Sequence, residues 1–327
     1  MGRPARVLTH APPPRDYRAV PLSCRHRALL LLFTVVLTWG LTWPVNKAIL
    51  ASIPPLWTVA LRSAIATVVL FALLIGRRRL AWPPREDLPV LVGIALLHMV
   101  GFTVLSTWGL GIVPAGRTAT LAYTTPLWVV PGARLLLGEP LTARRLAGVA
   151  LGLIGLALLF NPLALDWTDG RVVLGNLAVL VGAFLWALSI LQIRRHRWRS
   201  TPLDLAPWET LLATAIVAPM ALTGGPLRAT WTPRLVLFLL FVGVAGTALA
   251  YWAVAMASRD LPAVTTSLGL LATPVVSVVT AALWLGEALT AALLIACALI
   301  LSGTALGAMR DPRDAGARAT PVSTARH

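Results

Sequence analysis

Thr125-Pro126 followed by Gly138-Glu139-Pro140-Leu141-Thr142 recurs 148 residues downstream as Thr273-Pro274 followed by Gly286-Glu287-Ala288-Leu289-Thr290; Pro114-Ala115 likewise recurs as Pro262-Ala263. A phrase that returns at a fixed offset marks an internally duplicated chain. The surrounding sequence is 57% hydrophobic and 12% charged over 327 residues, about half the charge of an average soluble domain. Its apolar residues come in blocks of about 20, the length that crosses a bilayer core of about 30 Å. A soluble core helix would instead alternate an apolar and a polar face. The expected fold class is all-α integral membrane, with no separate soluble domain, and duplication within such a chain points to transport.

Working outward from the repeat, breaks at Pro, Gly and charge runs leave ten candidate transmembrane helices, over 28–50, 55–75, 88–111, 114–138, 141–160, 172–194, 202–223, 233–257, 261–285 and 288–308. The expected organisation is a disordered basic arm (1–27), a first five-helix repeat (28–160), a connecting loop (161–171), a second five-helix repeat (172–308) and a disordered tail (309–327). An odd number of spans per repeat makes the second copy enter the membrane from the other side. The two halves are then inverted repeats related by a pseudo-two-fold axis in the membrane plane. With the N-terminus inside, 21 arginines fall on the inner side and only Arg117, Arg171, Arg228 and Arg234 on the outer side. This bias predicts a multi-pass protein of the inner (plasma) membrane with both termini cytoplasmic. Trp57, Trp82, Trp167, Trp198 and Trp231 fall at predicted span ends, as an interfacial belt would place them.

The net charge of +16 raises nucleic acid as a partner. The arginines cluster in the gaps between apolar blocks, however, and form no basic stripe interleaved with stacking aromatics, so no nucleic acid is expected. Cys24 and Cys297 have neither metal nor redox spacing. No cofactor and no metal site are expected. The first 26 residues lack a small-residue cleavage pattern, so the first apolar block reads as a retained helix rather than a signal peptide.

The correspondence between the halves extends beyond the opening phrase. Trp39 and Lys47 match Trp186 and Arg194, Pro55 and Arg62 match Pro202 and Glu209, and Trp108 matches Trp252 after a four-residue insertion. Trp39-Gly40 with Lys47, the Pro55 to Arg62 spacing and the two Thr-Pro…Gly-Glu phrases resemble the EamA-type members of the drug/metabolite transporter (DMT) superfamily, over about residues 28 to 308. The resemblance implies a ten-helix, inverted-repeat transporter with a central cavity, helices 5 and 10 outside that cavity, and a small organic metabolite moved, often outward. Glu209 departs from the duplication by standing where Arg62 would recur.

Polar groups inside spans are costly and face the protein interior or water. Thr38, Thr42 and Asn46 share one stripe of helix 1, beside Trp39, Trp43 and Lys47. This face suits a small amphiphilic solute, and Trp39, Thr42 and Asn46 are expected to line the cavity, with Trp186 as the repeat mate of Trp39. For Lys47 two readings stay open, a cavity cation and a residue snorkelling to the interface. Arg62 lies seven residues into helix 2; it either binds an anionic group or satisfies neighbouring helix ends. His98, mid-span in helix 3, is either a proton relay or a hydrogen-bonded packing residue. Glu209 reads as an acid able to reach the cytosolic interface. Tyr123 with Thr120 and Thr124 on helix 4, Thr247 with Tyr251 on helix 8, and Thr266, Thr273 and Ser277 on helix 9 form hydroxyl stripes that face either a cavity or a carbonyl. Pro126 and Pro274 are expected to break their helices and serve as conformational hinges.

In the Gly138-Glu139-Pro140 phrase, Gly ends one helix, Pro opens the next, and Glu favours the dipole of the helix it precedes; Glu287 repeats this. Gly148, Gly152 and Gly155 give helix 5 a small-residue face for packing within the monomer or in a homodimer. The leading expectation is a secondary transporter of small organic metabolites, an exporter of amino acids or amphipathic drug-like solutes, working by alternating access of the two repeats. Its partners are a small-molecule solute and the lipid bilayer. The alternative is a membrane-embedded enzyme acting on a lipid, but no HExxH, GxSxG or pair of intramembrane carboxylates supports one, and no Walker-type loop supports ATP hydrolysis.

Overall fold

Prolines and glycines punctuate the chain into helices, and the computed structural model describes residues 22–139, 141–160, 166–261 and 263–308. Most of the expected arm and the whole tail, residues 161–165 of the connection, and Pro140 and Pro262 of the repeated phrases lie outside these residues. Among the described residues the structure is all helical. The first rods are α1 (Leu22–Leu50) and α2 (Pro55–Gly76). Next come α3 (Leu88–Ile94, Ala95–Phe102 and Thr103–Ile112), α4 (Ala115–Ala122 and Thr125–Leu137) and α5 (Ala143–Leu159). The second half repeats the series with α6 (Gly170–Arg195), α7 (Pro202–Thr223), α8 (Pro233–Leu240, Phe241–Leu249 and Ala250–Asp260), α9 (Ala263–Leu270 and Ala272–Leu285) and α10 (Ala291–Ala308). Among the described residues, eight helices are long and apolar enough to cross a membrane. The rods outside that set are α4, which is broken in two, and α5, whose 17 residues sit at the short limit for a span.

The breaks have a local cause. Proline lacks an amide hydrogen and its ring collides with the carbonyl four residues back. The residues four before Pro126 and Pro274 are Ala122 and Leu270, where the first segments of α4 and α9 end. The middle segments of α3 and α8 are π-helical; the hydroxyl of Thr103, directly after the first, donates to the His98 carbonyl (3.1 Å), and that of Thr247, within the second, to the Val242 carbonyl (2.8 Å), each five residues earlier. Such wide turns re-aim side chains and recur at functional sites. In each repeated phrase the glycine is a left-handed C-cap, Gly138 at φ 69° and Gly286 at φ 68°. The closing threonine caps the next helix, Thr142 Oγ1 accepting from the Arg145 amide and Thr290 Oγ1 from the Leu293 amide.

The rods pair across the halves. α2 lies against α7 through Val59, Ala60, Val217 and Ala221. α1 packs on α8 and α9, as α6 packs on α3 and α4. α5 and α10 form a separate pair at the periphery. Leu30, Phe33, Val68, Leu135 and Leu283 project outward and are exposed, whereas many threonines are buried with their hydroxyls returned to their own helix, as in Thr120 to Gly116 (2.9 Å). An apolar exterior around a polar-flecked interior is the arrangement a lipid environment demands.

Asp87, wholly buried at the start of α3, ties down the α6–α7 connection. Its Oδ1 accepts from His196 Nε2 (2.7 Å) and the Arg199 amide (3.2 Å), and its Oδ2 accepts from the Ser200 amide (2.9 Å). Burial pushes this carboxyl up, but these hydrogen bonds outweigh burial and hold it below the usual carboxylate range. A carboxyl held low stabilises the fold above its unfolded value of about 3.9, and that stability is lost as pH falls through the lower folded value. The detergent-solubilised protein is expected to lose thermal stability below about pH 4. Asp87→Asn should cost about 1–3 kcal/mol at neutral pH and flatten that acid step; an unaltered acid profile in the variant would count against this role.

Candidate functional site

The cavity between the halves has two connected parts. The inner chamber, about 660 Å³ counting the solvent it opens to, is bounded by Trp39, Thr42, Asn46, Arg62, His98, Tyr123, Trp186 and Tyr251, together with Trp43, Phe102 and Ser106. The outer vestibule, about 2210 Å³ counting the solvent it opens to, reaches Arg77, Arg79, Trp198, Ser200 and Thr201, so the structure is open at the end that carries the arginine-rich loops. Trp39, His98, Tyr123, Trp186 and Tyr251 line both parts and form the wall between them. No residue of α5 or α10 reaches either part.

The chamber wall is aromatic. His98 stacks on Trp186, with ring centroids 5.2 Å apart and planes 8° from parallel. Phe102 lies 4.9 Å from Trp186, Tyr123 meets Trp186 edge-on at 6.2 Å, and Tyr251 meets Trp39 edge-on at 6.3 Å. Trp39 is fixed by its indole Nε1, which donates to the Gly246 carbonyl (3.1 Å), and the Tyr251 hydroxyl rests on the Met99 sulfur (3.5 Å). Rings held this way present an apolar body with rigid polar edges at low entropic cost.

Arg62, Asn46 and Glu209 are polar groups that border the cavity. Arg62 lines the chamber and donates through Nε to Thr247 Oγ1 (3.1 Å). Asn46 is buried, and its Oδ1 has no hydrogen-bond partner among the described residues. Glu209, 6% exposed, lines the vestibule and makes no hydrogen bond or ion pair among the described residues. Tyr251 lies close enough to interact electrostatically with both Arg62 and Glu209. Arg62 and Glu209 thus border the same cavity from matched positions of α2 and α7.

Three of the expected residues lie elsewhere. Lys47 Nζ donates to the Leu110 (2.6 Å) and Val113 (2.9 Å) carbonyls at the end of α3. Thr247 holds Arg62 from behind. Thr273 is wholly buried where α9 crosses α1, its carbonyl near Gly40. Pro126 and Pro274 stand in the first turn after each helix break. Gly148, Gly152 and Gly155 pack within the chain; the backbone of Gly148 lies against Gly303 of α10. Sequence reasoning passed over Phe102, one helical turn from His98, and set Glu209 at the interface. The signal for Glu209 was its depth, seven residues into α7, the same as that of Arg62 in α2. Glu287 also departs from expectation. It holds not the helix it precedes but the start of α4, accepting from the Ala115 (2.5 Å) and Gly116 (3.0 Å) amides.

An apolar all-helical bundle, duplicated in sequence and enclosing a polar and aromatic cavity that opens at one end, has the architecture of a membrane transporter. The EamA-like transporter family model matches residues 26–161 and again 173–308. The chain belongs to that family, in the drug/metabolite transporter class, and its relatives are named as transporters rather than enzymes. It is 27% identical over 278 residues to the uncharacterized transporter YoaV of Bacillus subtilis (strain 168), covering 85% of this chain and 95% of that protein. It is 28% identical over 293 residues to the aromatic amino acid exporter YddG of Ancylobacter novellus, covering 87% and 98% of the two. A solved crystal structure superposes with a TM-score of 0.61 at 24% identity, covering 85% of this chain and 95% of that one, which supports the fold.

Proposed function

We propose that the protein is a ten-span secondary transporter that exports aromatic or amphipathic amino acids from the cytoplasm by alternating access of two inverted five-helix repeats. The observation that carries this reading is the placement of opposite charges at matched positions: Arg62 in α2 and Glu209 in α7 border one aromatic-walled cavity. A zwitterion presents a carboxylate and an ammonium on one carbon. The guanidinium suits the first, the unpartnered carboxylate suits the second, and the rings of Trp39, His98, Trp186 and Tyr251 take an apolar or aromatic side chain. Asn46 supplies a further polar contact. The relative named for aromatic amino acid export supports this class of solute. The arginine bias supports a cytosolic opening, so the cavity seen here loads from inside. α4 and α5 complete the ten spans, and the breaks before Pro126 and Pro274 let the halves rock.

The test is counterflow of radiolabelled phenylalanine in proteoliposomes, with 3-phenylpropionate, which lacks the amine, as companion probe. Flux well above empty liposomes is expected. Trp39→Ala and Tyr251→Ala should lower it without loss of membrane insertion. Glu209→Gln should raise KM for phenylalanine about tenfold or more and leave that for 3-phenylpropionate within about twofold. Rates no better than empty liposomes across a panel of amino acids would overturn the reading, and equal effects of Glu209→Gln on both probes would remove the ammonium assignment.

A further inference from the structure

Trp39, Thr42, Trp43 and Asn46 recur at helical spacing and put one face of α1 on the chamber. Trp39 lines both parts of the cavity, whereas Asn46 lines the chamber alone. The seven residues between them carry Asn46 about 10 Å further toward the closed end. The chamber stops near this point. Leu110 of α3 also lines it, and the Leu110 carbonyl takes the Nζ of Lys47, the residue next to Asn46, so α1 and α3 are tied together behind the asparagine. Trp43 on α1 and Phe102 on α3, ring centroids 6.5 Å apart, give the stretch between the aromatic wall and Asn46 an apolar side.

Asn46 is 4% exposed, and its Oδ1 has no hydrogen-bond partner among the described residues. Its polar neighbours in the chamber are differently placed. Thr42, Thr103 and Ser106 give their hydroxyl hydrogens to the Thr38 (2.7 Å), His98 (3.1 Å) and Phe102 (2.6 Å) carbonyls of their own helices. The Trp39 indole donates to the Gly246 carbonyl. An asparagine that served helix packing would bond across to a neighbouring helix. A duplicated packing feature would also recur in the second half. At the offset that relates Trp39 to Trp186, however, the mate of Asn46 is Ile193, an apolar residue on the vestibule. The amide thus belongs to one copy of the unit and to one end of the cavity, and burying it without a partner is costly.

We propose that Asn46 is the specificity-determining residue of the chamber: it pairs with a hydroxyl at the far end of the solute's ring, so the protein carries phenolic, tyrosine-like amino acids in preference to phenylalanine. The inference rests on the reading of the protein as an exporter of aromatic amino acids. Arg62 takes the carboxylate, the ring runs past Trp43 and Phe102, and the ring's outer end meets Asn46. A side-chain amide carries a donor and an acceptor on one carbon. The last side-chain torsion of asparagine is broad and roughly two-fold, so the two ends exchange readily. A phenol hydroxyl donates to Oδ1 or accepts from Nδ2 and satisfies either arrangement. A phenyl ring in the same place displaces water from the amide and returns no hydrogen bond, which costs affinity.

The test is counterflow of labelled tyrosine and of labelled phenylalanine in proteoliposomes, with a KM for each. In the parent protein the KM for tyrosine should lie about tenfold below that for phenylalanine. Asn46→Leu keeps the side-chain volume and removes both hydrogen-bonding ends. It should raise the KM for tyrosine about tenfold and lower that for phenylalanine about twofold, so that the preference inverts. Asn46→Ala should abolish the preference too, and it serves where the leucine variant does not assemble. Opposite shifts for the two amino acids are a signature that a packing role would not give. A parent that takes phenylalanine as tightly as tyrosine, or a preference unchanged in the variants, overturns the Asn46 assignment and leaves the export reading standing. Equal shifts of both KM values in one direction assign Asn46 to packing and overturn it as well. A parent that moves neither amino acid faster than empty liposomes overturns the export reading itself, and the assignment with it.

Discussion

Arg62→Leu is expected to reduce phenylalanine flux by at least about 30-fold while the protein still inserts and keeps its fold. The only hydrogen bond that its side chain makes among the described residues runs from Nε to Thr247 Oγ1. Arg62 borders the chamber, and its terminal nitrogens, which make no hydrogen bond among the described residues, could hold a carboxylate with two parallel hydrogen bonds. Removing one partner of a buried, hydrogen-bonded charge pair costs about 2–5 kcal/mol, and each 1.4 kcal/mol is a factor of about ten. Arg62→Lys keeps the charge without the planar fork and should fall between the two. Phenethylamine, which has the ammonium and the ring but no carboxylate, separates recognition from structure: its flux should change by less than about threefold in Arg62→Leu. Collapse of both fluxes together, with a lowered melting temperature, would mean that Arg62 merely holds α2 to α8.

The second large effect is on stability and lies far from the cavity. Gly303 of α10 crosses Gly148 of α5 so closely that a Cβ at either position would lie 2.4 Å from the carbonyl oxygen of the other. That oxygen belongs to backbone, so it cannot turn aside as the end of a side chain would. Gly303→Leu therefore has to part the two helices, an overpacking that costs about 3 kcal/mol or more. The melting midpoint in detergent should fall by roughly 5–10 °C, with less protein recovered from membranes. The flux KM of the surviving fraction should not move, because neither α5 nor α10 lines the cavity. Gly307→Ala, in the same helix but with nothing near its Cβ position, should be nearly neutral. Similar losses in the two variants would show that the crossing at Gly303 does not govern α10, since both substitutions favour the helix itself.

Much of the candidate site was legible because a membrane chain spends polar residues sparingly. Trp39, Thr42, Asn46, Tyr123, Trp186 and Tyr251 stood out against apolar blocks, and the structure gathers them around one chamber. Lys47 stood out equally and points elsewhere, to two carbonyls more than 60 residues away in the chain. Polarity within a span marks a side chain that needs a partner, and does not say whether that partner is a solute or a helix end. Glu209 was misplaced for the converse reason. Its position near the start of α7 allowed an interfacial reading, and only the packing of α7 against α2 and α3 turns it into the vestibule.

By itself the sequence determined that the chain is a duplicated, all-helical membrane protein, where its helices break, and which residues are too polar to face lipid. These follow from composition, period and local backbone chemistry: proline expels the carbonyl four residues back, and glycine alone accepts the left-handed caps. The tertiary structure alone decided which end of the cavity is open and which glutamate holds which helix. Glu139 and Glu287 sit in the same local phrase, yet one is paired with arginines and the other binds amides 172 and 171 residues distant. Closely similar local sequences acquire different partners because the partner is set by how the halves pack, and no local pattern carries that information.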